Sequence, residues 1–287
     1  MQHNINTICV CGAGTMGTGI ALCAAQHGFT AIVFDINPAT LASSQASVQQ
    51  TLRQLLAKQK ITAQQQHDIF NRLSFTAHLQ QATAPLIIEA IVEQYAAKQQ
   101  LFQQLATING HNCIFASNTS SLSITQLQAQ IPHPHRVVGM HFFNPATLMK
   151  LVEVVKGQHT SATTIQTATA VATAMGKTAV QCTNSPGFIV NRVARPYYLE
   201  AMRLLQQGVA TPQQIDAILE STGFKMGPFK LMDLIGIDVN HTVSTQLWEA
   251  LGHPPRLQPA ALQQALVDAG QLGRKTGKGF YHYQPQP

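Results

Sequence analysis

The sequence predicts an α/β fold in which a sheet with flanking helices precedes an all-helical region. Three observations support this fold class. A glycine-rich loop near the start of the chain follows a short apolar run and opens a helix. Short apolar runs rich in β-branched residues then alternate with helical patterns as far as residue 181. Beyond residue 187, every patterned segment carries apolar residues at the spacing of a helix.

The glycine-rich loop has the G-x-G-x-x-G spacing that suits a bound pyrophosphate. Gly12 allows the tight turn after the first strand, Gly14 allows close approach of the backbone to a phosphate, and Gly17 allows the helix to pack closely on the sheet. Thr15 and Met16 complete the loop at the start of the helix, where backbone N–H groups attract anions. We therefore expect these residues to bind the phosphates of a dinucleotide.

An acid after the second strand indicates which dinucleotide is bound. The strand from Ala31 to Phe34 ends at Asp35, about 20 residues after the loop. A carboxylate there accepts a hydrogen bond from the 2′-hydroxyl of the adenosine ribose and repels a 2′-phosphate, and no arginine follows it. The order of strand, loop, helix, strand and acid predicts a Rossmann-type domain that binds NAD rather than NADP. The alternative is a glycine-rich turn with an incidental aspartate.

Apolar patterns and helix-starting residues place the remaining elements of this domain. The predicted helices are Pro38 to about Lys60, Thr62 to Arg72, a short helix capped by Ser123, and Thr163 to Met175. The predicted strands are Leu86 to Ala90, Ile114 to Ala116, Val137 to Met140, Leu151 to Val155 and Thr178 to Gln181.

A cluster of turn-forming residues from Thr183 to Gly187 marks a domain boundary. We predict an NAD-binding domain at 1–183 and a helical C-terminal domain at 184–287, which would complete the substrate cleft. The helices predicted in the second domain are Phe188 to Gln207, Pro212 to Ser221, Pro228 to Leu234, Val239 to Leu251 and Ala260 to Ala269.

Polar residues accompany three apolar strands in the middle of the chain. Ser117, Asn118 and Ser120 follow the first strand, His141 follows the second, and Glu153 lies within the third. A carboxylate among apolar residues is costly to bury unless it is paired, and His141 is the nearest candidate partner. We therefore predict that Glu153 orients His141 and raises its basicity, so that His141 acts as a general base. A capping or surface histidine is the alternative.

Several other polar residues have two interpretations. Asn191 lies early in the first helix of the second domain, where its amide either contacts a ligand or completes the helix end. Glu93 and Lys98 either face the nicotinamide or form an ordinary surface pair. Lys58 belongs to a basic cluster at a helix end, which is either a phosphate site or a solvated terminus.

The composition restricts the class of partner. The formal net charge is +6 and the pI is about 9.2, but no block of basic residues and no basic stripe with aromatics occurs, so we expect a phosphate-bearing small molecule rather than nucleic acid. No apolar run is long enough to span a membrane, and we expect no membrane partner. The odd number of cysteines, all in apolar elements, indicates reduced thiols and a cytoplasmic location. No Cys or His pairs have the spacing of metal ligands, so we expect no metal site.

Nearly the whole chain resembles the L-3-hydroxyacyl-CoA dehydrogenase family, and in particular its short-chain 3-hydroxybutyryl-CoA branch. The similar segments are GAGTMGTGIA, ASNTSSLSIT, GMHFFNPATLMKLVEVV, SPGFIVNRVARPYYLEA, GPFKLMDLIGIDVN and GRKTGKGFYHY. The resemblance implies NAD-dependent oxidation of a 3-hydroxyacyl-CoA in fatty acid or related acyl-CoA metabolism, and a homodimer formed through the C-terminal domain.

The resemblance also implies roles for individual residues. His141 would remove the proton of the C3 hydroxyl, Glu153 would orient it, and Ser120 and Asn191 would hold substrate oxygens. The residues implied for the cofactor are Gly12, Gly14, Thr15, Met16, Gly17, Asp35, Glu93, Lys98 and Asn118, and those implied for coenzyme A are Thr51 and Lys58.

Three positions depart from the family pattern. Gln94 stands where Asn is common, Thr147 where Pro is common, and Lys230 where Glu is usual. The first two are expected to alter the detailed shape of the site, and the third is expected to alter an interface or an interdomain contact.

Three other functions compete with this interpretation. A 3-hydroxyadipyl-CoA dehydrogenase of aromatic-acid degradation has the same reacting centre and a different acyl tail. A 3-hydroxyacid dehydrogenase needs a catalytic lysine after the domain boundary, and no lysine occurs between Lys177 and Lys225. A structural NAD-binding relative would not require the intact set of His141, Glu153, Ser120 and Asn191.

Overall fold

The computed structural model describes residues 4–284. The chain divides into two compact units, Met1–Ser185 and Pro186–Pro287, and each has its own hydrophobic core. The sequence places the division between residues 183 and 184, in the same turn-rich segment.

The first unit is built on one eight-stranded sheet. Its strands are β1 (Thr7–Cys11), β2 (Thr30–Phe34), β3 (Leu73–Thr76), β4 (Leu86–Glu89), β5 (Ile114–Ser117), β6 (Val137–Phe142), β7 (Leu151–Lys156) and β8 (Thr178–Thr183). The spatial order is β3-β2-β1-β4-β5-β6-β7-β8. Within this sheet the β6 and β7 pair is antiparallel, and every other pair of neighbours is parallel.

Helices connect these strands. They are α1 (Thr15–Gln26), α2 (Pro38–Ala57), α3 (Ala63–Asn71), α4 (Tyr95–Ile108), α5 (Ile124–Gln128) and α6 (Ala162–Ala174). Local residues start several of them: Asn37 caps α2 just before Pro38, and Thr62 forms a capping box with Gln65 at α3. Ser123 caps α5, because its side chain accepts from the N–H of Gln126.

Three strand predictions need correction. Strand β3 was not predicted, because only Leu73 and Phe75 are apolar in this short segment and it pairs with β2 alone. His141 lies within β6 rather than after it, and Ser117 lies within β5. The prediction ended these two strands before their polar residues, but a polar side chain with a buried partner does not interrupt the backbone hydrogen bonds of a strand.

The middle of the sheet is buried on both faces. Ile8 and Val10 of β1 and Leu86 and Ile88 of β4 are all 0% exposed. Parallel strands covered on both faces by helices have nearly continuous apolar sequences, which is why these segments could be recognised from sequence.

The second unit consists of helices packed around an apolar core. They are α7 (Val190–Gln206), α8 (Pro212–Ser221), α9 (Pro228–Ile235), α10 (Ile237–Ala250) and α11 (Ala261–Asp268). Helix α7 begins later than predicted because Gly187 and Phe188 have φ of +72° and +48°, which a right-handed helix does not permit. A sheet domain followed by a helical domain confirms the predicted fold class.

A buried carboxylate holds two helices of the second unit together. Asp216 of α8 is 0% exposed and accepts hydrogen bonds from the backbone N–H groups of Phe229 and Lys230, at the start of α9. A carboxylate at a helix N-terminus is stabilising because it satisfies unpaired N–H groups and opposes the helix dipole. Over residues 4–284, no helix combines the length and the hydropathy needed to cross a membrane.

Candidate active site

His141 and Glu153 form a buried pair on the two antiparallel strands. They are direct partners in the register of β6 and β7, so their side chains leave the sheet on the same face. The ring nitrogen Nδ1 of His141 lies 2.7 Å from Oε2 of Glu153, and the two residues are 3% and 1% exposed. Because an ionised carboxylate only accepts hydrogen bonds, Nδ1 carries a proton and donates the hydrogen bond. The other ring nitrogen, Nε2, is then the basic atom of the neutral ring.

Ser120 contacts the opposite side of the imidazole. It follows β5, and its hydroxyl oxygen lies 3.0 Å from Nε2 of His141. With Nε2 as the acceptor, the Ser120 hydroxyl donates this bond. Nearby, the side-chain oxygen of Asn118 accepts from the backbone N–H of Phe142, which joins the end of β5 to the end of β6. The structure therefore brings Ser120, His141 and Glu153 into one hydrogen-bonded row.

A second cluster joins β4, α4 and the loop after β5. Lys98 of α4 is 1% exposed, and its ammonium nitrogen lies 2.5 Å from Oε1 of Glu89 and 3.1 Å from Oε2 of Glu93. The burial of Lys98 excludes the ordinary surface pair that the sequence left open. Oε1 of Glu93 also accepts from the backbone N–H of Ser120 at 3.0 Å and from the hydroxyl of Thr119 at 2.5 Å. This cluster therefore contacts the loop that carries Ser120.

The two carboxylates of this cluster have pKa values shifted in opposite directions. Burial raises the pKa of Glu89, and the ammonium of Lys98 opposes this only in part. Burial also acts to raise the pKa of Glu93, but the charge of Lys98 and the hydrogen bonds from Thr119 and Ser120 outweigh it, so this pKa lies below its ordinary value.

The glycine loop fits a dinucleotide. Gly12 has a φ of +103°, and a Cβ there would lie 2.5 Å from the carbonyl oxygen of Ala90, so only glycine is accommodated. A Cβ on Gly14 would meet open space, at the point where no side chain caps the N-terminus of α1. The N–H groups of that helix end are thus available to an anion. Thr15 and Met16 begin α1, and a Cβ on Gly17 would collide with the carbonyl oxygen of Gly12.

Asp35 lies directly after β2, beside the same loop. Its Oδ2 accepts from the N–H of Ala13 at 2.8 Å, and its Oδ1 accepts from the N–H of Asn37 at 2.9 Å. Each carboxylate oxygen can accept a further hydrogen bond, so the position suits a ribose hydroxyl. The loop, the open helix end and this acid together fit an NAD molecule.

A groove of about 410 Å³ lies between the glycine loop, α2 and the segment 144–147. One wall is a row of hydroxyl groups on α2, from Thr40, Ser43, Ser44, Ser47 and Thr51. Thr51 is thus in the groove, as is Thr147, one of the departures from the family pattern. Lys58 lies exposed at the C-terminal end of α2.

The segment that follows His141 is held by a buried lysine that the sequence analysis did not identify. Lys177 is 7% exposed, and its ammonium donates to the carbonyl oxygens of Ala146 at 2.6 Å and Met149 at 3.0 Å. Glu89 was also missed as a site residue. The available signal was a carboxylate among the apolar residues of a strand, which is also what identified Glu153.

Asn191 lies in the first turn of α7 and belongs to the second unit, where its carbonyl oxygen accepts from Nε of Arg195 at 3.0 Å. Lys230 also lies in this unit, and its ammonium is 2.9 Å from both carboxylate oxygens of Glu220. The unusual lysine thus has a counter-ion on α8 within its own unit. Gln94 is the N-cap residue of α4, and its side chain makes no capping hydrogen bond.

Across residues 4–284, no group of three or more His, Cys, Asp or Glu side chains is arranged to hold a metal ion. The same part of the chain holds all five cysteines as free thiols, with Cys182 half-buried and the others buried.

Comparison with known families gives matches along nearly the whole chain. Residues 7–185 match the family model for the NAD-binding domain of 3-hydroxyacyl-CoA dehydrogenase. Residues 187–283 match the family model for the C-terminal domain of 3-hydroxyacyl-CoA dehydrogenase. The two matched segments correspond to the two units of the structure.

Individual relatives align with nearly the full chain. The 3-hydroxyadipyl-CoA dehydrogenase of Escherichia coli is 43% identical over an alignment of 288 positions, which covers 100% of this chain and 61% of that protein. The chain thus spans less than two thirds of that relative. The 3-hydroxybutyryl-CoA dehydrogenase of Mycobacterium tuberculosis is 35% identical and matches over 99% of this chain and 100% of its own length. The crystal structure of (S)-3-hydroxybutyryl-CoA dehydrogenase from Ralstonia eutropha has a TM-score of 0.93 at 38% identity, covering 98% of this chain and 100% of that one.

Proposed function

Because the chain belongs to the 3-hydroxyacyl-CoA dehydrogenase family, we propose that it oxidises an L-3-hydroxyacyl-CoA to the 3-ketoacyl-CoA with NAD and catalyses the reverse reduction. The observation that carries this proposal is the row of Ser120, His141 and Glu153, in which a buried carboxylate and a hydroxyl contact the two nitrogens of one imidazole. The substrate that we propose first is 3-hydroxybutyryl-CoA.

His141 supplies the general base. Glu153 accepts a hydrogen bond from the protonated Nδ1, so in the neutral ring Nε2 carries no proton and can accept the proton of the C3 hydroxyl. The carboxylate also stabilises the charge that develops on the ring as it takes up this proton. The chemistry that bound NAD would supply is acceptance of the hydride from C3. In the reverse direction, the protonated His141 returns the proton to the carbonyl oxygen.

Ser120 positions the reacting oxygen. Its hydroxyl lies 3.0 Å from Nε2, which is the distance at which an oxygen must lie to exchange a proton with that nitrogen. We propose that, when the substrate hydroxyl lies beside Nε2 of His141, Ser120 donates a hydrogen bond to the substrate oxygen. Asn191 is proposed to hold a second substrate oxygen, because it matches the family motif.

Other residues are proposed to bind the cofactor and the coenzyme A part of the substrate. Glu93, Lys98 and Asn118 are proposed to shape the nicotinamide end of the cofactor site, with Lys98 acting through Glu93 because its ammonium is buried. Thr51 and Lys58 are proposed to bind coenzyme A, since Thr51 lines a groove rich in hydroxyl groups and Lys58 is an exposed cation at the C-terminal end of the same helix. The net charge of +6 favours a polyanionic thioester.

A second candidate substrate is 3-hydroxyadipyl-CoA. The relative that carries this name is 43% identical over the whole chain, a greater identity than that of the 3-hydroxybutyryl-CoA dehydrogenases described above. Both thioesters present the same C3 carbinol to His141, so the two candidates differ only in which residues contact the tail.

We also propose a homodimer formed through the second unit, a place in fatty acid metabolism or a related acyl-CoA pathway, and a cytoplasmic location. The dimer is supported by exposed apolar side chains on the second unit, including Val193 at 72%, Ile218 at 63% and Phe224 at 51% exposure. Light scattering coupled to gel filtration tests it: a monomer at micromolar concentration would contradict it. Free thiols support a reducing compartment.

Steady-state oxidation of NADH tests the reaction and the substrate. We expect turnover with acetoacetyl-CoA, and the ratio of kcat/KM for acetoacetyl-CoA and 3-ketoadipyl-CoA decides between the two candidates. His141→Gln should lower kcat by about 10³-fold and leave NADH binding unchanged, because it removes the general base and no cofactor contact. The matched control is His159→Gln, an exposed histidine on the segment after β7. Normal turnover in His141→Gln would contradict the mechanism.

A further inference from the structure

We propose that Glu89 is a positioning residue that holds Ser120 against His141, by way of Lys98 and Glu93. This inference rests on the proposed function, since it assigns Glu89 a part in the reaction of that site. Glu89 is 0% exposed, so it acts without touching substrate or cofactor.

Glu89 is bonded at both carboxylate oxygens. Oε1 accepts from the ammonium of Lys98 at 2.5 Å and from the N–H of Ile91 at 2.7 Å, and Oε2 accepts from the hydroxyl of Ser117 at 2.7 Å. The hydroxyl oxygen of Ser117 in turn accepts from the N–H of Thr119 at 3.3 Å. One buried carboxylate therefore joins the end of β4, the helix α4 and the end of β5.

Lys98 links Glu89 to Glu93. Its ammonium lies between the two carboxylates, 2.5 Å from Glu89 and 3.1 Å from Glu93. A buried ammonium with two carboxylate partners is held in place, because moving it would leave charge uncompensated away from water. Glu93 is more exposed, with 35% of its side chain accessible, and needs this anchor to remain in one orientation.

Glu93 then fixes the loop that carries Ser120. Its Oε1 accepts from the N–H groups of Ser120 and Ser121 and from the hydroxyl groups of Thr119 and Ser121, at 2.5 to 3.3 Å. The loop at 118–120 has no helix or strand of its own, so contacts of this kind are what determine its conformation. The loop places the Ser120 hydroxyl 3.0 Å from Nε2 of His141.

Loss of the Glu89 charge should loosen this arrangement. In Glu89→Gln, Lys98 keeps one carboxylate partner, and its ammonium is expected to shift toward Glu93 and disturb the bonds to the loop. A displacement of about 1 Å at a reacting group is enough to reduce turnover considerably. The expected kinetic effect is therefore mainly on kcat, with little change in the KM for the thioester.

The first test measures the loop without any substrate. Hydrogen exchange followed by mass spectrometry on the full chain compares the peptide containing residues 118–122 in wild type and in Glu89→Gln. We expect exchange in this peptide to accelerate about fivefold or more, because its N–H groups lose fixed acceptors. Glu249→Gln, the same change at an exposed position on α10, is the control and should leave it unchanged. Identical protection in wild type and Glu89→Gln would overturn the proposal.

The second test is a double-mutant cycle with acetoacetyl-CoA. Glu89→Gln should lower kcat about tenfold in the wild-type background and less than about twofold in a Ser120→Ala background, because the two changes remove the same interaction. A structural role for Glu89 would lower kcat equally in both backgrounds, and that result would overturn the proposal.

A third variant tests the proposal if Glu89→Gln folds poorly. Glu89→Gln combined with Lys98→Met removes both members of the fully buried pair, so neither is left behind as an unpaired buried charge. Faster exchange at residues 118–122 is still expected, because Glu93 loses its anchor, and unchanged exchange would overturn the proposal. If wild-type protein reduces none of the thioesters, the proposed function fails, whereas the exchange comparison still decides whether Glu89 fixes the loop.

Discussion

His141 and Glu153 face each other across the antiparallel pair of strands in a sheet whose other pairs are parallel. The pairing places Nδ1 of the ring 2.7 Å from Oε2 of the acid, although the residues are 12 positions apart in the chain. Side chains of directly opposed residues share one face of a sheet, so this register alone determines that the ring and the carboxylate meet.

Replacing Glu153 by Gln should lower kcat by about 100-fold while leaving the Kd for NADH within about twofold, because an amide of the same shape cannot stabilise a positively charged ring as a carboxylate does. Steady-state kinetics with acetoacetyl-CoA and fluorescence titration with NADH measure the two quantities. Glu249→Gln serves as the control. Turnover equal to that of the wild type would restrict Glu153 to a role in folding.

Replacing Asp35 by Ala should reduce the preference for NADH over NADPH by about tenfold or more, because the charge that repels a 2′-phosphate is removed. The measurement is the ratio of kcat/KM for the two cofactors. Asp268→Ala, at an exposed position at the end of α11, should leave the ratio unchanged. An unchanged ratio in Asp35→Ala would contradict a contact between Asp35 and the ribose.

The lowered pKa of Glu93 predicts a pH dependence of stability. An acid whose pKa is lower in the folded than in the unfolded state stabilises the fold above the unfolded value, and this contribution is lost as the pH falls through the folded value. The difference in unfolding free energy between wild type and Glu93→Gln should thus be largest at neutral pH and should shrink as the pH falls below the ordinary value of 4.5. Urea unfolding at a series of pH values measures it. A difference that grows on acidification would contradict the assigned direction.

Replacing Gln94 by Asn should stabilise the first unit by about 1 kcal/mol, because the shorter amide can accept from the free N–H groups at the start of α4, where Gln94 makes no capping bond. Urea unfolding measures the change. The control is Gln100→Asn in the middle of the same helix, which should be slightly destabilising because Asn is a poorer helix former than Gln. Equal effects at the two positions would contradict the capping argument.

The ion pair of Lys230 and Glu220 should tolerate an exchange of its two charges. Lys230→Glu should lower the Tm because two carboxylates then face each other, and the double variant Glu220→Lys with Lys230→Glu should recover it because the pair is restored with its charges exchanged. Thermal unfolding followed by circular dichroism measures both. If the double variant is no more stable than Lys230→Glu, the contact contributes nothing in solution.

The order of the elements and the cofactor loop could be predicted because they depend on neighbours in the chain. The spacing of Gly12, Gly14 and Gly17, the acid at Asp35 and the turn-rich boundary at 183–187 are local patterns. The periodicity of apolar residues likewise identified the central strands, which are covered on both faces. Short β3 was missed because an edge strand with two apolar residues has too little pattern to recognise.

Only the tertiary structure decided which charged groups meet. The sequence suggested His141 and Glu153 as partners, but the antiparallel direction of β7 and its register determine the contact, and a shift of one residue would place Glu153 on the opposite face. Glu89 and Lys98 come from a strand and a helix, and the sequence did not indicate that they would share a buried site with Glu93. A charge buried away from water needs a partner, and packing rather than position along the chain determines which partner is within reach.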